Sequence, residues 1–164
     1  MLLPRNQIPE EIAAYLAYDP NTGALTWIAG RMAGRVPGQI AGKIDKQGYR
    51  RVSFRGTSYA AHRITWFLTT GEQPPEMLDH ADCDKDNNRF LNLRVATPAQ
   101  NNANWKAKGS LPKGTTLHST GKYQASIKLA GKSHYLGLFV TAEEAHAAYA
   151  AKAAELFGEF ARAA

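Results

Sequence analysis

Apolar residues recur at two different spacings along this chain, and the switches between them outline its elements. Near the N-terminus Ile8, Ile12, Tyr15 and Leu16 fall at helical spacing behind Pro9 and Glu10, which predicts a short helix over residues 8–16. Asp19-Pro20-Asn21-Thr22-Gly23 is a turn signal, and residues 24–28 after it read as a strand. A loop rich in Gly, Arg and Ala over residues 30–42 leads to two strand-like runs, 49–54 and 57–60, broken at Arg55-Gly56 as in a hairpin. Residues 62–68 return to helical spacing and bury Ile64, Phe67 and either Leu68 or Trp66.

Past the Pro74-Pro75 turn, residues 77–80 and 94–96 read as two short strands, and Thr97 opens a helix. Thr97 suits the N-cap, Pro98 the first helical position and Gln100 the third, so two side chains satisfy N–H groups that the first turn leaves unpaired. A segment containing Lys and Gly then links this part to a stretch of different period. There Tyr123, Ala125, Ile127 and Leu129 alternate with Lys122, Gln124, Ser126 and Lys128, the pattern of a strand with one apolar and one polar face. Ala130-Gly131 turns the chain into a second strand ending near Phe139. Thr141-Ala142-Glu143-Glu144 forms another capping box and opens an alanine-rich helix that reaches about Phe157, before Gly158. That helix is expected to lay Ala145, Ala148, Tyr149, Ala153 and Leu156 on the sheet, leaving the opposite sheet face bare and basic. The whole reads as α+β, with a first domain over 1–104, a linker over 105–112 and a second domain over 113–164.

Length and composition allow this division: 164 residues with 44% hydrophobic content hold one ordinary domain or two small ones. No run approaches the roughly 20 apolar residues of a membrane span, and the first residues lack the apolar core of a signal peptide, so a cytoplasmic protein with no membrane partner is expected. Cys83 is the single cysteine, which excludes an internal disulfide and a cysteine-rich zinc site. No spacing encodes an oligomeric state, and a monomer is the default. The net charge of +6 is unevenly spread. Residues 1–70 hold nine Lys or Arg against four Asp or Glu, residues 71–104 three against six, and residues 105–140 six lysines and no acid. An acidic centre between basic flanks suits a protein that tracks phosphates and holds a cation.

The acidic centre contains Asp79-His80, Asn87-Asn88, Asn92-Leu93-Arg94 and Asn101-Asn102. Cutting a phosphodiester requires a base for water, a cation against the charge on phosphate, and ligands that hold the cation without quenching it. Asp79 and the amide of Asn101 are hard oxygen donors of the kind magnesium takes, and the imidazole of His80 titrates near neutrality. A strand, a long loop, a strand and a helix could bring Asp79 and Asn101 to one ion, with His80 facing the attacking water. Asn92 could accept from the His80 ring and set its tautomer. Asp82, Asp84 and Asp86 alternate as calcium-loop ligands do, but Asn87 and Leu93 stand where that loop needs glycine and a bidentate glutamate.

These motifs together resemble the HNH endonucleases of phage and homing type, with their ββα-metal site. The resemblance implies that His80 is the general base, that Asn92 orients it, and that Asp79 and Asn101 bind one Mg2+ or Mn2+ ion. It also implies double-stranded DNA as substrate, in a bacterial or phage-infected cell. In the β-rich N-terminal segment Arg31, Arg35, Lys43, Arg50, Arg51 and Arg55 are candidate phosphate contacts; Arg63 meets either a phosphate or an internal carboxylate, and His62 packs. Residues 110–160 resemble the Apetala and ethylene-response-factor type of DNA-binding domain, through Lys113-Gly114, Gly121-Lys122-Tyr123, Ile127-Lys128, Tyr135-Leu136-Gly137, Phe139 and the Thr141–Ala145 segment with Ala148-Tyr149. That likeness implies a three-stranded antiparallel sheet on one helix, with Lys113, Lys122, Gln124, Ser126, Lys128 and Tyr135 toward DNA. Two rival classes remain: a non-catalytic DNA-binding regulator and a calcium-responsive interaction protein.

Overall fold

The structure is a computed structural model that describes residues 7–28, 34–104, 109–129 and 131–162. Arg31, the first half of the expected linker and Ala130 lie outside the described residues. The chain divides into two compact units, residues 1–95 and 96–164. The division falls before the helix that Thr97 opens, whereas the expected domain boundary fell after it.

In the first unit, residues 8–16 do not form the expected helix. Glu10–Ala14 makes one 3₁₀ turn and Leu16 already belongs to β1, Leu16–Tyr18. Ile8, Ile12 and Leu16 are all buried, so a four-residue spacing is met by a turn followed by a strand. An isolated helix of so few residues could not offset its nucleation cost. β1 pairs antiparallel with β2, Leu25–Trp27, across the Asp19–Gly23 turn. β3 (Lys43–Ile44), β4 (Arg50–Phe54) and β5 (Thr57–Ala60) form an antiparallel sheet in that order. Arg55 and Gly56 join β4 to β5 with φ of 47° and 77°, the left-handed pair that a tight hairpin matching strand twist requires.

α1, Ala61–Thr70, buries Ile64 and Phe67 in a core with Ile8, Ile12, Leu25, Trp27, Val52 and Phe54. Leu68 packs at the edge of this core, while Trp66 turns to Phe90, ring centroids 5.3 Å apart. β6 (Leu78–His80) and β7 (Leu93–Val95) are an antiparallel pair joined by a long loop that closes with a 3₁₀ turn at Phe90–Asn92.

The second unit opens with α2, Pro98–Asn104, whose capping box forms as the sequence predicts. Gln100 N donates to the Thr97 hydroxyl at 3.3 Å, and Thr97 N to the Gln100 amide oxygen at 2.8 Å. A three-stranded antiparallel sheet follows in the order β10-β9-β8, built from β8 (Thr115–Leu117), β9 (Tyr123–Leu129) and β10 (Lys132–Phe139). α3, Ala142–Phe157, starts at a complete Thr141/Glu144 capping box and covers one sheet face. Ala145, Tyr149 and Ala153 are buried as expected, and so are Ala142 and Phe157; Leu156 is half-buried and packs against this core, and Ala148 is half-buried. Ala125 and Ile127 of β9 point into this core. Among the described residues no helix is long and apolar enough to cross a membrane.

Candidate active site

Asp79 and His80 stand next to each other on β6, so the strand sends their side chains to opposite faces. Across the ladder Asp79 pairs with Arg94 and His80 with Leu93. The Asp79 Oδ2 atom accepts from Arg94 Nε at 3.1 Å and from Arg94 Nη2 at 2.9 Å, and this buried carboxylate is thereby charge-compensated. Arg94 thus earns its place in Asn92-Leu93-Arg94 as the partner of Asp79.

The His80 residue is only 4% exposed, in contrast to the expectation of a ring facing solvent water. Its ring meets His62 edge to face, centroids 5.1 Å apart, and Tyr49 at 6.1 Å. Burial lowers the His80 pKa below the ordinary histidine value, against the Asn88 hydrogen bond and the charges of Asp82, Asp79 and Asp84, which raise it. The ring is therefore neutral at pH 7, the form that accepts a proton. His62 is pushed down to about 3, by burial first and then by the charges of His80, Arg63 and Arg51.

The loop between β6 and β7 is held from within and from below. Asn92 Nδ2 donates to Asp82 Oδ1 and to the Asn87 carbonyl, both at 2.9 Å, while its Oδ1 accepts from Asp82 N at 3.1 Å. Asn92 therefore spends its amide on the loop; its oxygen does not take the expected ring N–H. The amide beside the ring belongs to Asn88, buried to 1% exposure, whose Oδ1 lies 3.5 Å from His80 Nε2. The Asn87-Asn88 doublet signalled this residue in the sequence, but nothing in its spacing gave it a role.

Asp82 and Asp84 accept from the N–H groups of Asp84 and Asp86, and Asp86 receives both forks of Arg50 at 2.8 Å. From below, Phe90 N donates to the Tyr18 hydroxyl at 2.7 Å and Arg89 Nε to the Asn21 carbonyl at 2.7 Å. A Cβ on Gly23 would come within 2.6 Å of Arg89 N and 2.9 Å of Asn88 C, so this turn sits directly against the loop backbone.

No group of three or more His, Cys, Asp or Glu side chains is arranged to share a metal among the described residues. Asp79 offers a carboxylate and Asn101 an amide oxygen; both are hard donors of the kind magnesium takes, with water and phosphate oxygens as its usual further ligands. Asp79 lies on β6 in the first unit, and Asn101 is half-buried in the first turns of α2 in the second.

The remaining basic residues fall into two groups. Arg50 donates to Asp86, and Arg63 donates to the carbonyls of Pro74, Pro75 and Glu76. Arg51 leans on Ser58, and the exposed Arg55 pairs with Glu11 at 2.8 Å. In the second unit the Lys113 ammonium donates to the Ala103 carbonyl near the end of α2. Gln124, Ser126 and Lys128 alternate with the buried Ala125 and Ile127, which sets them on the face away from α3. Tyr135 pairs with Ser126 across the ladder and is 62% exposed, and Lys122 is exposed in the turn before β9.

Residues 59–103 match the model of the HNH endonuclease family. Over 120 residues the chain is 39% identical to a protein of Acanthamoeba polyphaga mimivirus described as an uncharacterized HNH endonuclease. The similar stretch is 72% of this chain and 63% of that relative, so the chain spans less than two thirds of the viral protein's length. No solved structure matches the chain. Residues 59–103, the stretch similar to the HNH endonuclease family, hold α1, the β6–β7 pair with Asp79 and His80, and α2 as far as Ala103.

Proposed function

We propose that the chain is a DNA endonuclease of the phage and homing HNH type, dependent on Mg2+ or Mn2+, with His80 as general base. The observation that carries this reading is the adjacency of Asp79 and His80 on one strand inside the matched residues. His80 takes a proton from water as the water oxygen bonds to phosphorus and the bond to the 3′ oxygen breaks. The 3′ oxygen leaves to be protonated by solvent, giving a 5′ phosphate and a 3′ hydroxyl. Asp79 and Asn101 would hold the divalent ion. What that ion supplies when bound is positive charge against the phosphate oxygens and the leaving oxygen. Asn92 serves the base indirectly, by tying the loop at Asp82 and Asn87.

The second unit supplies the DNA-reading surface, of the Apetala and ethylene-response-factor type. Its support is the polar sheet face of Gln124, Ser126, Lys128 and Tyr135, a shape that enters a major groove with alternate side chains toward phosphates and base edges. Lysines in place of arginines remove the bidentate fork that reads guanine, so selectivity is modest.

Nicking of supercoiled plasmid in Mg2+ and in EDTA tests the proposal. His80→Ala is expected to lower the nicking rate by about 10² to 10⁴, the usual worth of a positioned base, with gel-shift affinity in EDTA unchanged. A wild-type chain that binds duplex but leaves it intact in Mg2+ and Mn2+ would instead be a non-catalytic DNA-binding regulator.

A further inference from the structure

A neutral imidazole carries one proton on either of two nitrogens, and only the other nitrogen can accept one. In water the two forms interconvert, so a histidine that acts as a base from a fixed direction needs a neighbour that selects one of them. Beside His80 that neighbour is an amide whose own orientation is set elsewhere. The Asn88 Nδ2 atom donates to the Asp86 carbonyl at 2.9 Å. A carbonyl cannot donate, so it must face the NH2 end of the amide, and the oxygen end is left toward the ring, 3.5 Å from Nε2. An amide oxygen only accepts, so the nitrogen it faces is the one that carries hydrogen.

The anchor of this amide reaches into the N-terminal sheet. Asp86 receives Arg50 Nε and Nη2 at 2.8 Å each, a bidentate clamp from β4. The Asp86 carbonyl also accepts Asn88 N at 3.0 Å, so its position fixes both the backbone and the side chain of Asn88. Gly23 closes the arrangement from the other side, where an added Cβ would overlap the Asn88 and Arg89 backbone.

We infer that Asn88 is a positioning residue that holds the His80 ring as its Nε2–H tautomer, through an anchor running from Arg50 to Asp86 to Asn88. Arg50 is then part of the nuclease framework instead of a phosphate contact. The tautomer rests on the orientation of the Asn88 amide; its meaning for cleavage rests on the reading of His80 as the base, with Nδ1 as the accepting atom.

The test is 15N spectroscopy of the histidine rings in the full chain, metal-free and above pH 7. The expected result is a protonated, slowly exchanging Nε2 and an unprotonated Nδ1 for His80. In Asn88→Ala that proton exchanges fast, and in the nicking assay kcat falls by about 10- to 100-fold with KM little changed. Arg50→Met is expected to move the same resonance in the same direction. An unprotonated Nε2 in the wild-type chain overturns the inference, and so does an Asn88→Ala spectrum identical to wild type. The wild-type spectrum decides even if Asn88→Ala does not fold. A chain with the expected spectrum that fails to nick in any ion overturns the endonuclease reading and leaves the tautomer standing.

Discussion

His62 and His80 meet ring to ring in a pocket that also holds Tyr49, and burial lowers the pKa of both imidazoles. A histidine whose folded pKa is depressed binds fewer protons in the native state than in the unfolded chain. The stability it permits is complete above the unfolded value of 6.5 and is lost as pH falls toward the folded value of about 3. For His62 alone, urea melts should lose about 3 kcal/mol between pH 7 and pH 4, and His62→Gln should flatten that slope. A wild-type profile as flat as that of the variant would mean that the ring is charged in the fold. Arg94 gives a second expectation: Arg94→Met leaves the Asp79 carboxylate buried without its partner, at a cost of about 3 to 5 kcal/mol in denaturant unfolding. Adding Asp79→Asn should return part of that loss, because the stranded charge goes. The Asp79-His80 doublet was legible in the sequence because two chemically distinct groups stood in a short strand pattern. The ring contact of Asn88 was not legible, because in an irregular loop no periodicity says where a side chain points.

Elements with reciprocal local chemistry were read correctly from the chain. Both capping boxes, Thr97/Gln100 and Thr141/Glu144, form with the partners that their spacing dictates. Residues 8–16 misled because a turn entering a strand can bury positions four apart as well as a helix does. The location of β8 was also missed: three residues behind a glycine are too few to display alternation. Gly114, just before that strand, has φ of +78°, and a Cβ there would lie 2.0 Å from the Tyr149 ring. Gly114→Ala therefore meets both a left-handed backbone and the central aromatic of α3. It should destabilise the second unit by about 2 to 4 kcal/mol, seen as a lower midpoint in thermal melts followed by circular dichroism. An unchanged midpoint would mean that α3 can yield at Tyr149 without loss of packing.

At the scale of the molecule, charge is the term that composition predicts most directly. A net charge of +6, with six lysines and no acid over residues 105–140, favours phosphate contact by counterion release. Duplex affinity should fall steeply with salt, and Lys122→Ala or Lys128→Ala should each reduce the logarithmic slope by about 1 in titrations from low to physiological salt. A slope unmoved by either change would take the polar sheet face out of the DNA contact. Long-range support was the least legible layer, because bonds between residues 21 and 89 or 18 and 90 leave no local mark. Those bonds bear on what a transplant of the matched stretch would require. Residues 59–103 cut out and grafted elsewhere would arrive without Tyr18, Asn21, Gly23 and Arg50. The loop behind the histidine would then have lost its mould, and a host protein would have to provide one of the same contour.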